Sequence, residues 1–230
     1  MKQLLTKGIV LARTNYQEAD RILTILTTDY GKLSVLAKGV RKSKSKMAGG
    51  VELFSVSEIG FMRGRGDLAT MVSSRLIKHY GTIVQDINRT MLGYELIKLL
   101  NKVTEDEPGE DYFELLRITL ESLDQAEIEV ELIKLWFLAQ LLKLAGHTPE
   151  LYTNIARKPL ERNETYAFSY DDMAFSENAD GKFGSSHIKI LRLAFGNHKP
   201  ASLHKVQGAE NIIRSCLDLT QNILPNHIRT

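Results

Sequence analysis

The chain changes hydrophobic period once, near Gly81, and that single change limits the folds open to it. Ahead of it, Lys32 to Val40 places Leu33, Val35 and Ala37 on one side and Lys32, Ser34 and Lys38 on the other. This is the alternation of a half-buried strand. Leu4 to Thr14 and Asp20 to Thr28 are rich in β-branched residues, with Asp29-Tyr30-Gly31 as a turn between the second and third runs. Val51 to Met62 and Leu68 to Ile77 continue the series across Arg63-Gly64-Arg65-Gly66-Asp67, a glycine-rich hairpin connection. Five short strands with no long helix between them predict a small barrel. After Gly81, Met91, Leu92, Glu95, Leu96, Leu99 and Leu100 follow a 3.6-residue spacing. Further helices are predicted over Tyr112 to Leu123, Ile128 to Ala145, Ser186 to Phe195 and Val206 to Leu224, with Leu151 to Phe183 irregular. The expected fold class is α+β in two domains: a β-barrel over 1–80 and a helical domain over 81–230, with an irregular insert at about 151–183.

Charge divides along the same boundary. Met1 to Tyr80 holds 14 Lys/Arg against 6 Asp/Glu, whereas Gly81 to Glu150 holds 6 against 14. Such asymmetry points the first part toward a polyanion. Its densest feature is Lys38-Gly39-Val40-Arg41-Lys42-Ser43-Lys44-Ser45-Lys46, five cations in nine residues. A cationic loop of this kind attracts phosphate and releases counterions, and its Ser/Gly spacers predict mobility. Arg63 and Arg65 form a second basic element, able to fork onto phosphates or stack on bases. Tyr16 and Tyr30, beside turns, are candidate stacking platforms.

Other functions find little support. There is no Walker loop, HExxH, GxSxG or strand-to-helix GxGxxG, so no enzyme is expected. The acidic run Glu105, Asp106, Glu107, Glu110, Asp111 precedes a predicted helix, where carboxylates favour the N-terminus; a metal-dependent nuclease remains a minor alternative. His198, His204 and Cys216 match no standard zinc spacing. The single cysteine allows no internal disulfide and fits a reducing cytoplasm. The N-terminus lacks a secretory h-region. The most apolar stretch, Leu132 to Ala145, is broken by Lys134, Gln140 and Lys143; it reads as a core helix, so no membrane association is expected.

Several of these segments together resemble a known family. Gly8-Ile9-Val10-Leu11, Glu18-Ala19-Asp20-Arg21-Ile22-Leu23-Thr24, Tyr30-Gly31-Lys32-Leu33, Ala37-Lys38-Gly39-Val40-Arg41-Lys42 and Arg63 to Ala69 occur in the order seen at the start of the RecO family, the bacterial recombination mediators. Leu144-Ala145-Gly146-His147-Thr148-Pro149 looks like that family's Leu-x-Gly-Tyr-x-Pro helix end. The resemblance is good over the first 80 residues, mainly one of pattern in the helical middle, and loose at the C-terminal end. It implies an N-terminal OB-fold, a helical C-terminal domain, binding of single- and double-stranded DNA, and strand annealing in DNA repair. The partners it implies are RecR, the acidic tail of the single-stranded-DNA-binding protein SSB and, indirectly, RecA. Carried over, Lys38, Arg41, Lys42, Lys44, Lys46, Arg63 and Arg65 become DNA-contacting cations, joined by Lys32 on the polar face of its strand. The SSB tail would suit a groove near Lys134 or Lys143. An RNA-binding OB-fold adaptor is the alternative, separable by comparing matched DNA and RNA strands.

One departure stands out. Many members of the family carry a four-cysteine zinc element after the Gly-x-x-Pro helix end. Here those positions fall near Thr153, Ala156 and Ser176 to Ala179, and none is cysteine. No zinc cofactor is expected, and the 151–183 segment must hold its shape by packing.

Overall fold

The computed structural model describes residues 2–64, 66–104, 109–206 and 209–227. Compactness divides the chain into two units, Met1–Asp124 and Gln125–Thr230.

The first unit is built on five strands: β1 (Leu4–Tyr16), β2 (Asp20–Thr27), β3 (Lys32–Ala37), β4 (Ser55–Met62) and β5 (Leu68–His79). They close into a barrel in the order β1-β2-β3-β5-β4. The expected OB-type barrel is thus present. Closure depends on the long β1, which pairs antiparallel with β2 along one edge and β4 along the other. It also depends on a parallel pairing of β3 with β5 over Ser34–Leu36. Val10, Leu23, Ile25, Val35, Ala37, Ile59, Phe61 and Met71 fill the interior, the period-2 side chains that alternation assigns to one face.

Boundaries shift where the chain turns. β3 ends at Ala37 rather than Val40 because Gly39 adopts φ +64°, a left-handed conformation that glycine takes without a Cβ penalty. Val40 instead drops into the core at 2% exposure. Val51 belongs to a short 3₁₀ turn, Ala48–Val51, not to a strand. Two helices complete this unit, α1 (Ile87–Val103) and α2 (Glu110–Leu123). Asp86 caps α1 by accepting from the Arg89 amide at 3.0 Å. Buried Phe54 lies so close to Gly93 that a Cβ there would meet its ring at 2.7 Å, which lets α1 approach the barrel wall. α2 packs against β1 and β2. Of the acidic run, Glu110 and Asp111 occupy the first turn of α2, where carboxylates favour the helix dipole. Glu105, Asp106 and Glu107 lie outside the described residues.

The second unit centres on α3 (Val130–Leu144), which is apolar nearly all round and touches both α4 (Ser185–Phe195) and α5 (Ala209–His227). Gln140 donates to the carbonyls of Ala194 and Gly196 at 2.6 and 2.8 Å, satisfying the C-terminal end of α4. The segment expected to be irregular contains a hairpin, β6 (Tyr166–Ser169) and β7 (Ala174–Glu177). Val206 precedes α5 instead of starting it. Among the described residues no helix is long and apolar enough to cross a membrane.

Candidate nucleic-acid interface

The cationic stretch after β3 is a corner held by hydrogen bonds to neighbouring elements. Gly39 donates its amide to the Asp20 carboxylate at 2.7 Å, and Arg41 donates its amide to the Ala19 carbonyl at 2.9 Å. The Arg41 guanidinium reaches the Glu18 carbonyl at 3.2 Å. Further along, Lys42 and Ser45 close successive turns, and the Ser74 hydroxyl donates to the Met47 carbonyl at 2.8 Å. The segment is fastened at one end to the β1–β2 connection and at the other to β5. Lys38, Arg41, Lys42, Lys44 and Lys46 are all exposed. Among the described residues none of the five is in an ion pair. Such a concentration of like charge favours a polyanion.

Arg63 stands elsewhere. β3 runs parallel to β5, so the start of β3 lies beside the β4–β5 connection and its end lies beside the β1–β2 connection. The six residues of β3 span about 20 Å at ~3.3 Å each. The lysine corner and Arg63 therefore mark opposite ends of one face. Pairing fixes what lies between: Ile22 opposite Leu36, Thr24 opposite Ser34, and Leu68 and Thr70 beside Ser34 and Leu36. This strip carries neither charge nor aromatic ring. At the far end, the Arg63 guanidinium lies over the Tyr30 ring, 5.4 Å from its centroid. Tyr30 meets Phe61 of the core edge-on at 5.3 Å. Tyr16 is exposed at the end of β1. Arg65 lies outside the described residues.

Lys32 has a different occupation from the other candidates. Its ammonium donates to the carbonyl of Asn101 at 3.1 Å and to that of Thr104, the last turn and cap of α1. These are the orphan carbonyls and negative dipole end of a helix, so Lys32 ties β3 to α1. Nothing in the local sequence signals this link, which spans about 70 residues. The other contact that sequence reasoning missed is the Asp20 carboxylate beneath Gly39; an aspartate opening a strand after a turn carries no special mark.

In the second unit, Lys143 donates to the Asn197 side chain at 2.8 Å. The positions expected for the zinc element hold Thr153, Ala156, Ser176, Glu177, Asn178 and Ala179. Their donor set does not fit a thiolate-bound zinc. What stands there is the buried Asn154 amide, which accepts from the amides of Ala156 and Lys158 at 3.0 and 2.9 Å and donates to Glu177 at 2.9 Å. Behind it Tyr166, Phe168, Phe175 and Phe183 pack edge to face, with ring centroids 5.2 to 6.2 Å apart.

Comparison with known proteins settles the ancestry. The model of the recombination protein O N-terminal region matches residues 1–80, and that of its C-terminal region matches residues 84–230. The chain belongs to the RecO family. A DNA repair protein RecO of Syntrophus aciditrophicus is 34% identical over 167 residues, 71% of this chain and 64% of its own length. A RecO of Dehalococcoides mccartyi is 35% identical over 147 residues, 64% of this chain and 57% of its own length. One of Moorella thermoacetica is 36% identical over 146 residues, 63% and 54% respectively. The matched part thus spans just over half to under two thirds of these RecO relatives.

Proposed function

We propose that this RecO-family chain is a DNA-binding mediator of repair that acts by holding strands and not by bond chemistry. The observation that carries the reading is the lysine corner: five exposed cations outside any described ion pair, fastened to the end of an OB-type barrel. Phosphates neutralised there lose the repulsion that opposes pairing, so two complementary strands held by such surfaces anneal with no catalytic group. The names of the relatives, DNA repair protein RecO, support the same process. On this reading residues 1–80 form the DNA-binding module. The chain works with RecR to load RecA on strands covered by SSB, whose acidic tail docks on the helical part. The segment after α3 holds its shape without zinc, through Asn154 and the aromatic cluster.

The test is annealing of complementary strands precoated with the cognate SSB, with and without RecR. The reading requires faster pairing in the presence of the chain and a further gain, or RecA loading, on adding RecR. A chain that leaves the pairing rate of both naked and coated strands unchanged refutes it.

A further inference from the structure

The Arg63 end of the barrel face contains a cleft of about 390 Å³, lined by Tyr30, Lys32, Ser34, Arg63, Gly66 and Asp67 among others. This volume falls within the ~300–1,000 Å³ of clefts that take small ligands. Two features distinguish it from a phosphate groove. First, the Arg63 guanidinium lies over the Tyr30 ring, 5.4 Å from its centroid, and Tyr30 meets buried Phe61 edge-on. The Tyr30 backbone is itself held, its amide donating to the Thr27 hydroxyl at 3.0 Å. A ring beside a guanidinium attracts it and limits its motion, and an exposed planar cation is a surface on which a base stacks. Second, Asp67 is among the residues that line the cleft. A carboxylate repels a phosphate but accepts hydrogen bonds from the N–H edge of a base. The lysine corner, about 20 Å away along β3, has the opposite character.

We propose that this cleft receives one unpaired base of a single strand, stacked on Arg63 with its donor edge toward Asp67. The proposal rests on the DNA-binding reading above and sharpens it. Bases in a duplex are paired and stacked, so this end discriminates for single strands, whereas the lysine corner takes the phosphates of either form.

The experiment compares the affinity of the whole chain for a short oligodeoxynucleotide with that for an abasic strand of the same length and charge, by fluorescence anisotropy at one salt concentration. Base stacking of ~1–3 kcal/mol predicts roughly 5- to 150-fold tighter binding of the strand that carries bases. Arg63→Lys keeps the charge but removes the plane, and it should bring the ratio close to one. Lys42→Gln should weaken both strands alike and preserve the ratio. Equal wild-type affinity for the two strands overturns the cleft assignment and leaves the DNA-binding reading standing, as does a ratio that survives in Arg63→Lys. Binding to neither strand removes the underlying reading itself.

Discussion

The amide of Gly39 donates to the Asp20 carboxylate at 2.7 Å, so the corner that presents the lysines is held by the first residue of β2. Asp20→Ala should cost about 1.5–2 kcal/mol in urea unfolding, the lower part of the range for a hydrogen bond to a charged group because the site is partly exposed. Asp20→Asn, which keeps an acceptor oxygen, should recover most of it. Annealing by Asp20→Ala should slow while the salt dependence of binding keeps its slope, since the cations remain but lose their placement. A variant as stable as the wild type would show that the corner is held by its other contacts.

Salt dependence counts the cations that meet phosphate. If all five residues of the corner engage a single strand, the logarithm of affinity should fall against the logarithm of salt with a slope of about −3.5, at ~0.7 per phosphate. Replacing Lys42, Lys44 and Lys46 by glutamine should flatten it by roughly 2. A wild-type slope near zero contradicts electrostatic binding, and an unchanged slope in the triple variant places the contacts on other residues.

Lys32 provides the internal control. Lys32→Met removes the link from β3 to the carbonyls of Asn101 and Thr104, and should lower stability by about 1–2 kcal/mol. It should leave the salt slope where it was. A slope reduced by ~0.7 with no loss of stability would instead make Lys32 a phosphate contact.

These cases separate what the sequence reveals from what only the fold does. β3 is legible because one side of it faces the core and the other faces solvent, so Leu33, Val35 and Ala37 alternate with polar residues. β2 alternates less cleanly: Leu26 and Thr27 are both fully buried, and α2 packs on the outside of β1 and β2. The density of Lys38 to Lys46 marks it as a strongly cationic element at sight. Its separation from Arg63 does not follow from spacing, because the parallel pairing of β3 with β5 decides which connection lies at which end. The hairpin of Tyr166–Ser169 with Ala174–Glu177 is hidden for another reason. Its strands are four residues long, too short to show a clear alternation, and they pack on Phe183, which follows β7 and bridges to Tyr166.

At the place of the expected zinc element, the Asn154 amide makes three hydrogen bonds while only 5% exposed. Asn154→Ala removes the shared partner of two backbone amides and the Glu177 carboxylate, and should cost about 1–2 kcal/mol. A strong chelator should leave the melting temperature of the wild type unchanged. Elemental analysis that finds one tightly held zinc per chain would overturn the zinc-free reading.

Burial of two titratable side chains, His187 and Cys216, should make the second unit sensitive to pH from both sides. The Cys216 sulfur lies 3.8 Å from the His187 carbonyl, and the Gly184 amide donates to His187 Nδ1 at 3.2 Å ahead of α4. Burial pushes the imidazole below its ordinary value and the Cys216 thiol up to about 12. For His187 the unfolded chain binds more protons below ~6.5, so stability falls as pH drops through that value. Protonation also removes the acceptor that Gly184 uses. For Cys216 the unfolded thiol ionises near ~8.5 while the folded one does not, so the unfolded state holds fewer protons. Stability then falls as pH rises above that point, by at most ~1.4 kcal/mol per unit. Urea unfolding followed across this range should trace a dome, with Cys216→Ala flattening the alkaline limb and His187→Asn the acidic one. Alkylation of Cys216 in the native chain at pH 8 should be far slower than in urea, and equal rates would show that the thiol is not sealed in the core.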